Sequence, residues 1–320
     1  MTLLEDEFLA KTNDMIREVL TGLSSDTQSL AAIAEHLCLS DHAKRARPLL
    51  VLYFHWLFSG EVAPELVKVA VAAEFIHAAS LLHDDVVDEA SMRRGKASAN
   101  VVYGNAQAVL AGDFLLTEAF DLLRPLGREL TDRAIVVLKE MTRAALVEIN
   151  ARGRMDLTID GWSRMARGKT GVLFSWCGFA AAILANSDQN KERLWALGEH
   201  IGHIFQMVDD LKDFNGDQNL KDSCQDIRNK GPSLPIILAA QMDTSIMGDF
   251  QKYYKEEIIN DETVLYLKKR VLESGAIAET YKRIKHAESK ARALVASYEG
   301  SLGQVLLSQW VHTLIAWPTH

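Results

Sequence analysis

Proline is scarce in this sequence: six residues in 320, at positions 48, 64, 125, 232, 235 and 318. Because proline interrupts helices and punctuates loops, its rarity leaves long stretches free to stay helical. Cysteine is scarcer still. Cys38, Cys177 and Cys224 lie far apart with no CxxC pair, which excludes a disulfide framework and a zinc site and predicts reduced, buried thiols. There is no excess of positive charge: 35 basic against 43 acidic residues give a net charge of -8, which argues against a broad nucleic-acid surface. The opening MTLLEDEFLAKTNDMIREVL has neither the basic start nor the unbroken apolar core of a signal peptide, so a cytoplasmic protein is expected. The longest weakly polar stretch, Gly171 to Ala185, falls short of the roughly 20 apolar residues that span a bilayer. It reads as a buried core helix, and no transmembrane span is predicted.

What the chain does have is a hydrophobic content of 48%, enough for a sizeable core, arranged at helical spacing. Val67 to Asp88 carries Val67, Val71, Phe75, Ala78 and Leu82 three to four residues apart with no glycine or proline, and predicts one long helix. Similar segments run from Ala106 to Leu123, Thr131 to Ile149, Trp162 to Ala185, Lys191 to Phe214, Leu234 to Gln241 and Ala276 to Tyr298. Strand-like alternation is scarce. Breaks fall at 60–64, 124–128, 151–161, 215–232 and 242–250, none with the length or serine content of an interdomain linker. The reading is an all-α chain forming one helical domain over residues 1–320.

Two acidic clusters share one spacing. DDVVD supplies Asp84, Asp85 and Asp88, and DDLKD supplies Asp209, Asp210 and Asp213, both at i, i+1 and i+4. On a helix, residues i and i+4 lie on one face with Cβ atoms about 5–6 Å apart, so like charges there call for a cation. Mg²⁺ suits them, because it takes oxygen ligands from one or two carboxylates together with substrate phosphates. A diphosphate held between the two clusters by bridging Mg²⁺ is the chemistry they suggest. An EF-hand is excluded, since the spaced DxDxDG loop and its terminal glutamate are absent. Cations that suit phosphate follow: Lys44, Arg45 and Arg47 in HAKRARP, Arg93 and Arg94 in MRRG, then Lys169, Lys221 and Lys230.

With these residues in view, the chain resembles the trans-polyprenyl diphosphate synthases, which have the isoprenoid synthase fold. LLHDDVVDEASMRRG is similar to that family's first aspartate-rich motif and IGHIFQMVDDLKD to its second, and the likeness includes HAKRARP, EFIH, GDFLL and KTGVLF. The resemblance implies a helical bundle around a central active-site cavity, with three Mg²⁺ ions per site held by Asp84, Asp85, Asp88, Asp209 and Asp213. Asp210 would support them or contact water, and Arg93 and Lys169 complete the implied catalytic set. Arg93, Lys169 and Lys221 would hold an allylic diphosphate, farnesyl or geranyl, with Thr170 and Gln206 nearby. Lys44, Arg47, His77 and Arg94 would grip isopentenyl diphosphate, and Lys230 joins the substrate-binding set. Where the family has Gly-Gly before Lys-Arg, His42-Ala43 stand here, and its Gly-Lys-Pro-Thr-Leu-Pro reads Lys230-Gly231-Pro232-Ser233-Leu234-Pro235. A homodimer is implied as well.

The implied activity is a prenyltransferase that ionises the allylic carbon–oxygen bond, adds isopentenyl diphosphate and releases a product five carbons longer. One turn below Asp84 stand Ala79 and Ser80, with Ile76 deeper, where short-chain members of the family place an aromatic. These residues predict an open path for a medium- to long-chain product, hexaprenyl to octaprenyl or beyond, although Phe114 and Phe120 on another helix could close it. A short-chain farnesyl or geranylgeranyl synthase and a non-catalytic regulatory partner subunit are the alternatives. A terpene cyclase is disfavoured by the intact DDLKD.

Overall fold

The structure is a computed structural model that describes residues 3–22, 28–40, 45–93, 95–214 and 224–315. Among them the chain is almost wholly helical, as expected. The helices are α1 (Leu3–Thr21), α2 (Gln28–Cys38), α3 (Ala46–His55), α4 (Pro64–Val87), α5 (Ala99–Tyr103), α6 (Asn105–Leu123), α7 (Arg128–Ala151), α8 (Ile159–Ala166), α9 (Val172–Leu184), α10 (Lys191–Asp213), α11 (Gln225–Arg228), α12 (Leu234–Met242), α13 (Thr244–Tyr253), α14 (Asp261–Glu273), α15 (Ala276–Ala296) and α16 (Leu302–Ile315). One small antiparallel hairpin, β1 (Met92–Arg93) with β2 (Lys96–Ala97), follows α4. The chain forms two compact units built from interleaved stretches: residues 1–136, 176–195 and 300–305 in the first, 137–175, 196–299 and 306–320 in the second.

The centre of the first unit is α4. Pro64 sits at its first turn, where the missing N–H costs nothing, and the next 23 residues contain no breaker. Leu66, Val67, Val69, Val71, Phe75 and Ile76 are all buried, so the helix is apolar around its whole circumference and is covered on all sides. Length and composition alone would let α4 cross a membrane, yet most of it is buried within the protein. Around it, α1 buries Phe8, Thr12, Ile16 and Leu20 along one stripe, and Tyr53 of α3 donates a hydrogen bond to the buried Glu5. Cys177 is fully enclosed, which pushes its thiol up to about 12, and all three cysteines are free and buried.

In the second unit, α9 and α10 approach at backbone distance. A Cβ on Gly198 would lie 2.4 Å from the Phe174 carbonyl oxygen and 2.6 Å from Ser175 Cα, so only glycine fits. Phe174 packs against Phe205 with ring centroids 5.3 Å apart and against Trp310 of α16 at 6.4 Å. The C-terminal apolar residues up to Ile315 thus belong to a core helix.

Two stretches differ from the sequence reading. The helix expected from Trp162 to Ala185 is divided into α8 and α9 by a π-helical turn at Arg167–Gly171, a local widening that hydrophobic spacing does not register. The break expected at 242–250 is a single residue: Asp243, extended at φ -141°, caps α13 by accepting from Ser245 N at 2.8 Å.

Gly198→Ala should lower stability by about 1–3 kcal/mol through overpacking against the α9 backbone. Urea unfolding reads this directly, and an unchanged midpoint would show that the two helices are not in contact.

Candidate active site

Both acidic clusters close long helices. Asp84 and Asp85 lie in the last turn of α4 and Asp88 is its C-cap; Asp209, Asp210 and Asp213 end α10. A helix C-terminus carries partial negative charge, and α4 has no basic residue in its last turn, so carboxylates gather where the backbone least favours them.

Within each cluster the three aspartates differ. Asp85 is buried, and its Oδ1 accepts from Arg93 Nε at 2.8 Å and from Arg93 Nη2. The hairpin makes this possible. Glu89 turns the chain at φ 49°, β1 pairs Arg93 with Lys96, and Gly95 at φ 76° supplies the left-handed turn residue. A narrow cleft bordered by His36, Asp85, Arg93, Lys96 and Ser98 lies beside the pair. Asp85, expected among the metal ligands, gives its Oδ1 to the guanidinium, while Asp84 and Asp88 are only half-buried.

Asp210 is likewise the buried member of its cluster. Its Oδ2 accepts from Trp162 Nε1 and from Leu234 N, both at 2.9 Å, and its Oδ1 accepts from Gln206 Nε2 at 2.8 Å. Thr170 Oγ1 donates to Gln206 Oε1 at 2.7 Å, so Thr170, Gln206 and Asp210 form one hydrogen-bonded chain. Burial pushes the Asp210 carboxyl up from 3.8 to about 7, against the pull of its donors and with the help of the Asp209 charge. Asp213 accepts from Gln225 N at 2.8 Å and from Asp226 N at 2.9 Å, which anchors α11, and burial raises its carboxyl too. Asp209 is exposed.

The remaining expected residues are placed as follows. Lys169 lies in the π-helical turn and pairs with Glu148 of α7. Arg47 is buried in the first turn of α3, and His77 is half-buried on α4, its carbonyl accepting from Ser80 Oγ at 2.8 Å. Ile76 and Ala79 are fully buried and Ser80 is partly exposed. Lys230, expected at substrate, is held by backbone carbonyls. Left-handed at φ 53° just after α11, it directs its ammonium to the carbonyl oxygens of Glu256 and Glu257. Lys44, Arg94 and Lys221 lie outside the described residues.

Sequence reasoning missed three residues. Trp162 reads as a core aromatic, and nothing in its context signals an N–H aimed at Asp210. Glu148 carries no motif, although it holds Lys169. Asp226 falls in a stretch read as a break, yet the carboxyl of this half-buried residue is raised well above the ordinary range, first by desolvation and then by Asp213, Asp210, Asp209 and Glu148.

The donors fit a hard divalent cation. All are carboxylate oxygens, and the buried Asp85 Oδ2 has no hydrogen-bond donor among the described residues. Among those residues no three acidic, histidine or cysteine side chains converge on one ion.

Comparison with known proteins follows the same line. A family model described as polyprenyl synthetase matches residues 27–271. The octaprenyl diphosphate synthase of Escherichia coli (strain K12) is 36% identical over 233 residues, 71% of this chain and 71% of its own length. The all-trans-nonaprenyl-diphosphate synthase (geranyl-diphosphate specific) of Rhodobacter capsulatus is 32% identical over 289 residues, 86% of this chain and 84% of its own. Among solved structures, a decaprenyl diphosphate synthase from Rhodobacter capsulatus superposes with a TM-score of 0.89 at 27% identity, covering 97% of this chain and 96% of that one. A polyprenyl synthase from Caulobacter crescentus CB15, complexed with calcium and isoprenyl diphosphate, gives 0.89 at 27% identity, covering 98% and 96%.

Because the folded value of Asp210 lies above its unfolded one, its contribution to stability is present below about pH 4 and is lost as pH rises through about 7. In metal-free buffer, Asp210→Asn should therefore lose less stability than the parent between those limits. Parallel profiles of melting temperature against pH would rule this out.

Proposed function

The chain belongs to the polyprenyl synthetase family and is an enzyme of the prenyltransferase type, and from that premise we propose that it condenses isopentenyl diphosphate with geranyl or farnesyl diphosphate to make a medium- to long-chain polyprenyl diphosphate. The observation that carries the reading is the pair of aspartate clusters, each ending a long helix and each with its second aspartate buried and hydrogen-bonded.

In the first unit, Asp84, Asp88 and the Oδ2 of Asp85 are the carboxylate groups that would hold Mg²⁺; in the second, Asp209 and Asp213. Bound Mg²⁺ would supply Lewis-acid neutralisation of the charge on the departing diphosphate. The calcium and isoprenyl diphosphate in the Caulobacter crescentus structure support a divalent cation with this class of ligand.

Arg93 and Lys169 are each parked on a carboxylate, Asp85 and Glu148 respectively. A diphosphate offers these cations charged oxygens in place of the carboxylate, and the arginine fork can engage it bidentately. Thr170 and Gln206 are held by Asp210, which keeps their polar atoms in a fixed order. Arg47 and His77 serve isopentenyl diphosphate. As the allylic carbon–oxygen bond breaks, the isopentenyl double bond attacks the allylic cation. A proton then leaves the adjacent carbon for an oxygen of the released diphosphate. The apolar body of α4 keeps water from the cation.

Product length follows from the same helix. Ile76, Ala79 and Ser80 put no aromatic side chain in the turns below Asp84, and one turn of about 5.4 Å is close to the length of an isoprene unit. The octaprenyl and nonaprenyl names of two relatives support a long product. A homodimer is part of the proposal. Val101, Val102, Val109, Leu110, Ile135 and Val136 on α5, α6 and α7 leave apolar surface exposed of the kind a second copy covers. A cytoplasmic location agrees with three free cysteines.

Incubation with Mg²⁺, labelled isopentenyl diphosphate and farnesyl diphosphate should yield a linear polyprenyl diphosphate, whereas cyclised product or no product would overturn the reading. Asp84→Ala and Asp209→Ala should each reduce kcat by at least about 100-fold, the scale of one lost electrostatic contact to the transition state, with melting temperature little changed. Ser80→Phe should shorten the product, and an unaltered length distribution would show that the chain does not pass this residue.

A further inference from the structure

At the head of α3, Arg45 adopts a left-handed backbone at φ 49° and ψ 33°, a conformation that side-chain-bearing residues keep only where their surroundings enforce it. The enforcement is visible. Arg45 Nη1 lies 2.7 Å from Glu74 Oε1 of α4, with the two side chains 7% and 4% exposed. Arg45 Nε donates to Asn13 Oδ1 of α1 at 3.0 Å, and the Arg45 carbonyl accepts from Leu49 N at 3.0 Å, starting the helix. One ion pair therefore ties the first turn of α3 to α4.

What lies on either side gives the pair its meaning. Two residues after Arg45 comes Arg47, buried in the first turn of α3; three after Glu74, one turn along α4, comes His77. Arg47 and His77 are the two described residues assigned above to isopentenyl diphosphate, and they stand on different helices far apart in the chain. The hydrophobic packing of α3 on α4 is non-directional, whereas a buried charged pair has a single good geometry and is costly to break.

We infer that the Arg45–Glu74 ion pair is a positioning device that sets the spacing of Arg47 and His77 for isopentenyl diphosphate, an inference that rests on the reading proposed above. Neither Arg45 nor Glu74 needs to touch the substrate. Loss of the pair should weaken isopentenyl diphosphate specifically, leaving the allylic substrate and the chemical step largely intact.

The decisive variant replaces both partners by apolar residues, Arg45→Met with Glu74→Leu, since removing a buried pair together leaves no orphaned charge and is often neutral for stability. KM for isopentenyl diphosphate should rise about tenfold or more, with kcat and KM for the allylic diphosphate within about twofold of the parent and the variant folded at the assay temperature. Equal rises in both KM values, a fall in kcat alone, or an unchanged KM for isopentenyl diphosphate would each overturn the inference. If the double variant does not fold, Arg45→Lys, which keeps the buried positive charge but cannot reproduce the guanidinium's contacts to both Glu74 and Asn13, is read by the same criteria. Failure of both to fold would assign the pair a purely structural role and end the proposal. Arg47→Ala separates the two layers of argument: an unchanged KM for isopentenyl diphosphate there removes the substrate reading itself. A raised KM in Arg47→Ala beside an unchanged one in the double variant removes only the positioning role.

Discussion

Carboxylates at i, i+1 and i+4 in the final turn of a helix repel one another and meet the negative end of the helix dipole, and both α4 and α10 end in this way. That unfavourable electrostatics organises much of what surrounds the two helix ends. At α4 the chain turns back through a hairpin to bring a guanidinium onto Asp85. At α10 an indole N–H, an amide side chain and a backbone amide from three different segments are directed at Asp210. In both places the middle carboxylate is stabilised by protein groups; of the flanking ones, Asp84 and Asp88 are half-buried, Asp209 is exposed, and Asp213 is held by the Gln225 and Asp226 amides.

The same economy recurs in the basic residues. Arg93 and Lys169 are each paired with an acid, Asp85 and Glu148, which keeps two flexible side chains ordered. Arg45 differs. Its partner Glu74 is as buried as it is, and the pair joins two helices without facing solvent.

Much of the fold was legible in the sequence because apolar spacing and the absence of proline leave few alternatives for α4, α6, α7, α10, α12 and α15. The π-helical turn was not, since it changes the winding of a helix without changing which residues are apolar. Nor was α13, whose beginning depends on one aspartate side chain capping an amide two residues on. The six aspartates stand out in the sequence by their spacing, and Arg93 and Lys169 only through the resemblance to the family's motifs. Trp162, Glu148 and Asp226 do not stand out, because nothing local distinguishes them from ordinary core, surface and loop residues.

The sequence by itself determined the helical character of the chain, the two acidic clusters at one spacing and the basic residues that follow them, since these are written in short-range pattern. Only the tertiary structure decided which carboxylate of each cluster is buried, which is left open, and which cation is already paired. The physical reason is distance along the chain: Asp210 receives its donor from Trp162, 48 residues away, and Arg45 its acceptor from Glu74, 29 residues away. Burial and partnership of this kind arise when separate helices pack, and no local spacing specifies them.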